Sequence, residues 1–160
     1  MTAIPIHRAV YDTMVFFQWA ALPEGRQHGT AKAVLERSVQ LCLSVDLLAE
    51  VKDLLTRPAI VAKAKTLTPD RVDRFLELVL QHAEMIPAVP SVFSWPQHPD
   101  DDHVFNLVIQ AKAKYLVTWE KRILKLATDT TPDAASLRQL APSLSIVTPK
   151  TLADELRNVE

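Results

Sequence analysis

The chain reads as an α/β protein in three layers, with a central, mainly parallel sheet of about five strands. Two observations predict this. Short apolar runs that favour strands alternate with longer segments of helical period along the whole chain, the pattern of β-α-β crossovers. The length of 160 residues, with 48% hydrophobic and 23% charged residues, suits a single domain over 1–160 whose one core needs no disulfide or metal staple.

Arg8 to Asp12 is a short central strand ending on Asp12. Thr13 to Ala21 is nearly all apolar and forms a buried helix running toward Pro23; the stretch 23–29, with Pro, Gly, His and charge, is a loop. A second helix runs from Thr30, with Ala33, Val34 and Val39 opposite Lys32, Glu36 and Arg37. Gln40 to Ser44 is the second strand. Ser44 or Asp46 caps the next helix, whose buried stripe is Leu47, Leu48, Val51, Leu54 and Leu55 and which stops before Pro58. Ala59 to Lys65 adds a helical turn or two. Thr68-Pro69-Asp70 starts another helix, with Val72, Phe75, Leu76, Val79 and Leu80 as its core face. Glu84 to Val89 is a third strand, and 90–100 is a proline-rich loop.

The stretch 98–121 organises the rest. Asp100, Asp101 and Asp102 follow Pro99 and open a helix. Val104, Leu107, Val108 and Ala111 share one face, widened by Phe105 and Ile109, with His103, Asn106, Gln110 and Lys114 opposite. Tyr115 to Thr118 is a fourth strand, ending at Trp119-Glu120. Arg122 to Ala127 is a short helix, and 128–142 is a Thr-, Asp- and Pro-rich excursion with room for one helical turn. Ser145 to Thr148 is the last strand, and Pro149-Lys150 launches a terminal helix through Leu156.

Composition excludes several classes. A net charge of −1 gives no whole-protein attraction to nucleic acid, so a polyanion has to be drawn by a local patch or by bound cations. With 2 glycines the chain has neither a Walker-type phosphate loop nor a dinucleotide fingerprint. No apolar run approaches a membrane span, and the N-terminal residues lack a signal-type apolar region, so no membrane partner is expected. The one cysteine, Cys42, lies in an apolar run, cannot form an internal disulfide and reads as an inert core residue in a reducing, cytoplasmic setting.

The acids are the chemical signal. Asp12 ends the first strand, Asp101 and Asp102 open the helix before the fourth, and Glu120 follows it. If the first and fourth strands are neighbours, these groups meet at the C-terminal sheet edge, where α/β proteins build their sites. An all-oxygen cluster suits Mg²⁺ or Mn²⁺, and such an ion promotes phosphodiester hydrolysis by orienting phosphate and lowering the pKa of water. Taken singly, each acid is equally readable as a helix cap or first-turn acid. His98 and His103 flank the acids and could ligate Mn²⁺ or lie on the surface. Lys112, Lys114, Lys121, Arg122 and Lys125 cluster in sequence and could contact phosphate or form a solvated face.

A wider pattern accompanies the acids: Val10-Tyr11-Asp12-Thr13; Leu47-Leu48-Ala49-Glu50-Val51, then Leu54-Leu55 and Arg57-Pro58; Pro99 to Asp102 before an apolar helix; Tyr115 to Lys121; and Ile146-Val147-Thr148-Pro149. In this order and spacing it resembles the PIN-domain family, most of all the branch of toxin components of bacterial toxin–antitoxin systems. The resemblance implies a three-layer α/β/α fold and a Mg²⁺- or Mn²⁺-dependent endoribonuclease acting on single-stranded RNA, commonly a homodimer and held in check by a cognate antitoxin protein. It carries catalytic and metal-ligating roles onto Asp12, Glu50, Asp102 and Glu120, with Asp101 replacing or assisting Asp102 and the polar Thr13 and Thr118 beside them. Glu50 is promoted by the resemblance alone; on its own helix it shares a polar face with Asp46, Asp53 and Arg57. Lys121 and Arg122 stand where they could support substrate.

Three positions depart from the family pattern. Glu120 stands where the family usually has Asp, Met14 replaces a common Asn, and Trp119 is bulkier than usual, either walling the cleft or stacking on a base. Because Mg²⁺ geometry is strict, the longer Glu120 puts the second ion site in question. The Glu120 and Met14 departures motivate a competing reading, a PIN fold impaired in turnover that serves as a binding or regulatory module.

Overall fold

Strand β1 (His7–Tyr11) forms the middle of the sheet because Ala9, Val10 and Tyr11 are apolar on both faces and all three are fully buried. The computed structural model describes residues 6–22 and 29–158. The chain continues through α1 (Thr13–Ala21), α2 (Gly29–Leu35), β2 (Val39–Leu43), α3 (Val45–Thr56), α4 (Pro58–Lys63), α5 (Pro69–His82) and β3 (Glu84–Met85). A 3₁₀ turn (Pro99–Asp101) then leads into α6 (Asp102–Ala111), β4 (Tyr115–Val117), α7 (Lys121–Lys125), α8 (Pro132–Leu140), β5 (Ser145–Val147) and α9 (Pro149–Arg157). The expected loop at 23–29 lies outside the described residues except for Gly29, which starts α2.

The five strands are ordered β3-β2-β1-β4-β5 and every pairing is parallel. The chain builds outward from β1 through β2 to β3, then returns to place β4 on the other side of β1. That reversal is a switch point, and it opens a crevice outside the C-terminal ends of β1 and β4. Register makes the placement specific: Tyr11 pairs with Val117, and the Asp12 amide donates to the Val117 carbonyl at 2.9 Å. Asp12 and Thr118 therefore leave the sheet side by side. Helices flank the sheet in the three-layer α/β/α arrangement; α1, α3 and α5 pack on one another, and α6 packs against β1 and β2. Among the described residues no helix is long and apolar enough to cross a membrane.

Several elements differ from expectation, each for a local reason. Val39 belongs to β2, because α2 is closed by Arg37 in the left-handed region (φ 58°) and by the Ser38 amide donating back to the Ala33 carbonyl. β3 stops at Met85, after which Pro87 and Pro90 remove the donors a longer strand would need. Leu80 is exposed, since the buried face of α5 is Val72, Phe75 and Val79. The 128–142 excursion contains α8, capped by the Thr131 hydroxyl, which accepts from the Ala134 amide at 3.3 Å, and anchored by buried Ala134 and Leu137.

Asn106 is the largest departure in detail. Read from period alone it belongs to the polar face of α6, yet it is 4% exposed. Its Oδ1 accepts from the Val92 and Phe93 amides, both at 2.9 Å, and its Nδ2 donates to the carbonyls of Phe93 (3.1 Å) and Asp102 (3.0 Å). Every polar atom of the side chain is used. The result is a strap that ties the proline-rich 90–98 segment onto α6. Replacing Asn106 by Ala strands the buried Phe93 amide, and urea unfolding should show a loss of about 1–3 kcal/mol. A change within about 0.5 kcal/mol would mean the strap is held by something else.

Candidate active site

Asp12 sits at the C-terminal end of β1, where it begins α1 and is almost wholly buried. Its Oδ1 accepts from the Thr13 amide at 2.8 Å and its Oδ2 from the Thr118 hydroxyl, also at 2.8 Å. Thr118 is itself buried, and its oxygen accepts the Glu120 amide at 3.0 Å. The hydroxyl thus accepts from the Glu120 amide on one lone pair and donates its proton to Asp12. Burial raises the pKa of Asp12 above the ordinary aspartate range; the bonds from Thr118 and Thr13 oppose the rise, and the charges of Asp101 and Glu120 add to it. Those two carboxylates thus lie within electrostatic reach of the first.

Arg122 holds them. Its Nη2 and Nε donate to Asp101 Oδ2 at 3.0 and 3.3 Å, and its Nη1 donates to Glu120 Oε2 at 2.8 Å. Partial burial works against the guanidinium charge, and Asp101, Glu120 and Asp12 outweigh it, so the pKa is raised. Asp101 and Glu120 are the residues that precede α6 and α7, but neither side chain makes a capping hydrogen bond. Among the described residues the side-chain caps are the Asp12 carboxylate on α1 and the hydroxyls of Ser44, Thr68, Thr131 and Thr148. Helix capping therefore does not explain why Asp101 and Glu120 sit where they do.

Glu50, on α3, accepts a short hydrogen bond from His103 Nε2 on α6. That bond, against a smaller opposing effect of burial, raises the His103 pKa, with the charges of Glu50, Asp46 and Asp101 adding to it. Glu50 is thereby linked through His103 to the neighbourhood of Asp101. Electrostatic contacts run from Glu50 through His103 and Asp101 to Arg122 and Glu120. The pairings could not be read from spacing, because they join α3 to α6 and the 3₁₀ turn before α6 to α7.

Asp102 is directed elsewhere. Its Oδ1 accepts the Trp95 amide at 2.8 Å, so it fastens the same 90–98 segment that Asn106 straps down. Of the two candidates, Asp101 is the one whose charge reaches Asp12. His98 packs its ring against Trp95 at 4.6 Å. Lys121 is exposed on the first turn of α7, beside Glu120. Lys112 and Lys114 precede β4 and lie at the opposite, N-terminal edge of the sheet, so their nearness to the acids is one of sequence only. Cys42 is buried, and burial first pushes its thiol up to about 12, which leaves no thiolate nucleophile.

The donor chemistry fits a hard divalent cation: carboxylates from Asp12, Asp101 and Glu120, with a threonine hydroxyl behind them and no thiolate nearby. A guanidinium already fills part of that role, which marks the position as one that accepts positive charge. Among the described residues no three His, Cys, Asp or Glu groups are at metal-holding spacing.

The raised pKa of Asp12 makes a stability prediction. The folded state holds this proton at higher pH than the unfolded chain does, so stability falls as pH rises from the ordinary aspartate range through the folded-state value. Asp12→Asn keeps an acceptor for the Thr13 amide, sets an NH2 donor opposite the Thr118 oxygen in place of the second acceptor, and removes the buried charge. In chelator at neutral pH it should melt above the wild type and lose that part of the pH dependence. A lower melting temperature would show that the bonds to Thr118 and Thr13 outweigh the cost of burying the charge.

Residues 8–122 match the family model described as PIN domain, a span that runs from β1 to Arg122 and contains every acid discussed above. No curated protein and no solved structure matches the chain. PIN domains are generally nucleases and typically use divalent metal ions. With most of its length matched and a parallel five-stranded sheet whose order reverses beside Asp12, the chain belongs to the PIN-domain family.

Proposed function

We propose that the chain is a metal-dependent endoribonuclease that cleaves single-stranded RNA at the β1/β4 crevice. The observation that carries this reading is the buried Asp12 carboxylate, hydrogen-bonded across the switch point to Thr118 and facing Asp101 and Glu120. Asp12, Asp101 and Glu120 would hold Mg²⁺ or Mn²⁺, with Glu50 reaching them once His103 lets go. When bound, the ion supplies Lewis acidity at the scissile phosphate and a lower pKa for water. The chain's own residues do the rest. Thr118 and the Thr13 amide fix the Asp12 carboxylate in one orientation, so its lone pairs are presented without reorganisation. Arg122, freed from Asp101 and Glu120, is placed to meet phosphate oxygens in a bidentate fork, with Lys121 beside it. Asp102, whose Oδ1 holds the Trp95 amide, is assigned to positioning the 90–98 segment, with Asp101 taking the ligand role.

The narrower reading, the toxin of a toxin–antitoxin pair in the cytoplasm, active as a homodimer and silenced by an antitoxin, extends the resemblance of the sequence. Its test is growth arrest on expression, relieved by Asp12→Asn. The competing reading is a binding or regulatory module, and Arg122 is the observation that favours it, because an internal cation already neutralises Asp101 and Glu120.

Purified protein with single-stranded RNA and Mn²⁺ should cut the strand, and Asp12→Asn and Asp101→Asn should each lower the rate on the order of 100-fold or more. Asp102→Asn, which keeps an acceptor for Trp95, should retain most of the activity. If Asp102→Asn is dead and Asp101→Asn is active, the ligand set is the other one. Calorimetry separates the two readings: the nuclease requires saturable Mn²⁺ uptake that Asp12→Asn removes, and a wild type that takes up none is a binding module.

A further inference from the structure

Trp119 lies between Thr118, which bonds Asp12, and Glu120, which bonds Arg122. It neither walls the crevice from inside nor joins the core: it is 41% exposed, whereas Trp19 and Trp95 are 3% and 5% exposed. The ring is also not free to swing. Its indole N–H donates to Gln18 Oε1 at 2.6 Å, which pins it over the second turn of α1 on the same helix face as exposed Met14. An exposed tryptophan ordinarily gains from burying its ring, so one held out by a hydrogen bond at the rim of an acid crevice is a preformed flat surface. Two and three residues on in the chain stand exposed Lys121 and Arg122, the latter held by Asp101 and Glu120. Flat π surface with flanking cations is the combination that takes an unpaired nucleobase and its phosphates, and a paired base in a duplex does not expose its face to it.

We propose that Trp119 is a base-stacking subsite that receives one unpaired base of the nucleic acid next to the scissile phosphate and so selects single strands over duplexes. The inference rests on the nuclease reading for its substrate class. It adds a residue and a specificity that the acids alone do not supply. Gln18 is the positioning residue that holds the ring in its receiving orientation.

The molecule carries its own probe, because the other two tryptophans are buried and Trp119 provides the accessible emission. The intact chain is mixed with a single-stranded oligouridylate, or with duplex RNA of the same length, in Mn²⁺, and fluorescence is read by stopped flow before cleavage. Affinity is followed in parallel by anisotropy of a labelled strand. Saturable quenching by the single strand and little by the duplex is expected. Trp119→Ala should weaken single-strand binding by roughly 5- to 150-fold, Trp119→Phe by much less, and Gln18→Ala by an intermediate factor. If Trp119→Ala does not fold, the wild-type quench and the Trp119→Phe affinity decide alone. Binding with unchanged emission, equal quenching by duplex, or unchanged affinity in a folded Trp119→Ala overturns the subsite while leaving the nuclease reading in place; the ring then suits a protein partner. A wild type that binds no strand at all overturns the nuclease reading and the subsite with it.

Discussion

The hydrogen bond from the Thr118 hydroxyl to the Asp12 carboxylate is the constraint on which the crevice depends. It spans the two strands that flank the reversal of sheet order, and it is buried. A carboxylate in that position loses most of its hydration, so its charge is disfavoured unless donors replace the water. Thr118 and the Thr13 amide replace part of it, and the backbone pairing of β1 with β4 keeps them in place. Moving either strand by one residue would turn Asp12 into the sheet or out to solvent, because strand side chains alternate faces. The parallel sheet is therefore the device that makes a costly group stay where it can be used.

The remaining charges follow from that placement. Asp101 and Glu120 approach Asp12 and repel it, and Arg122 reaches across both to offset the repulsion. Glu50 takes His103 in the same way on the other side. A chain whose net charge is −1 thus gathers Asp12, Asp101 and Glu120 in one crevice and offsets them in part with its own Arg122. These contacts are partly exposed and screened, so they add little to stability. Their consequence is competitive: any divalent cation entering the crevice meets resident cations first, and its apparent affinity is set against theirs.

Much of this was legible in the sequence because it depends on local rules. Strand and helix alternation, the Ser44 and Thr68 caps and the stop at Pro58 are each written within a few residues. The acids at Asp12, Asp101, Asp102 and Glu120 could be located at element ends for the same reason. What spacing could not tell was which neighbour each carboxylate would take. Asp101 and Asp102 are adjacent in sequence, yet one meets Arg122 and the other the Trp95 amide, a choice made by the 3₁₀ turn before α6. Asn106 looked solvated because helical period knows nothing of the strap it would anchor. Helix α8 was read as no more than one turn although Thr131-Pro132-Asp133 repeats the start signal of Thr68-Pro69-Asp70; the surrounding polar residues masked its length. Trp119 was readable as a cleft wall or as a stacking surface, and its exposure is visible only once Gln18 is known to hold it.

The central claim is that Asp12, Asp101 and Glu120 form one cation site with Arg122 as its occupant in the metal-free state. Crystals soaked in Mn²⁺ and measured at the manganese absorption edge test it directly. An anomalous peak among those three carboxylates, with the Arg122 side chain moved away, is the predicted result. A peak beside Asp102 and Asp46, or Arg122 still bridging Asp101 and Glu120 at saturating Mn²⁺, would contradict it.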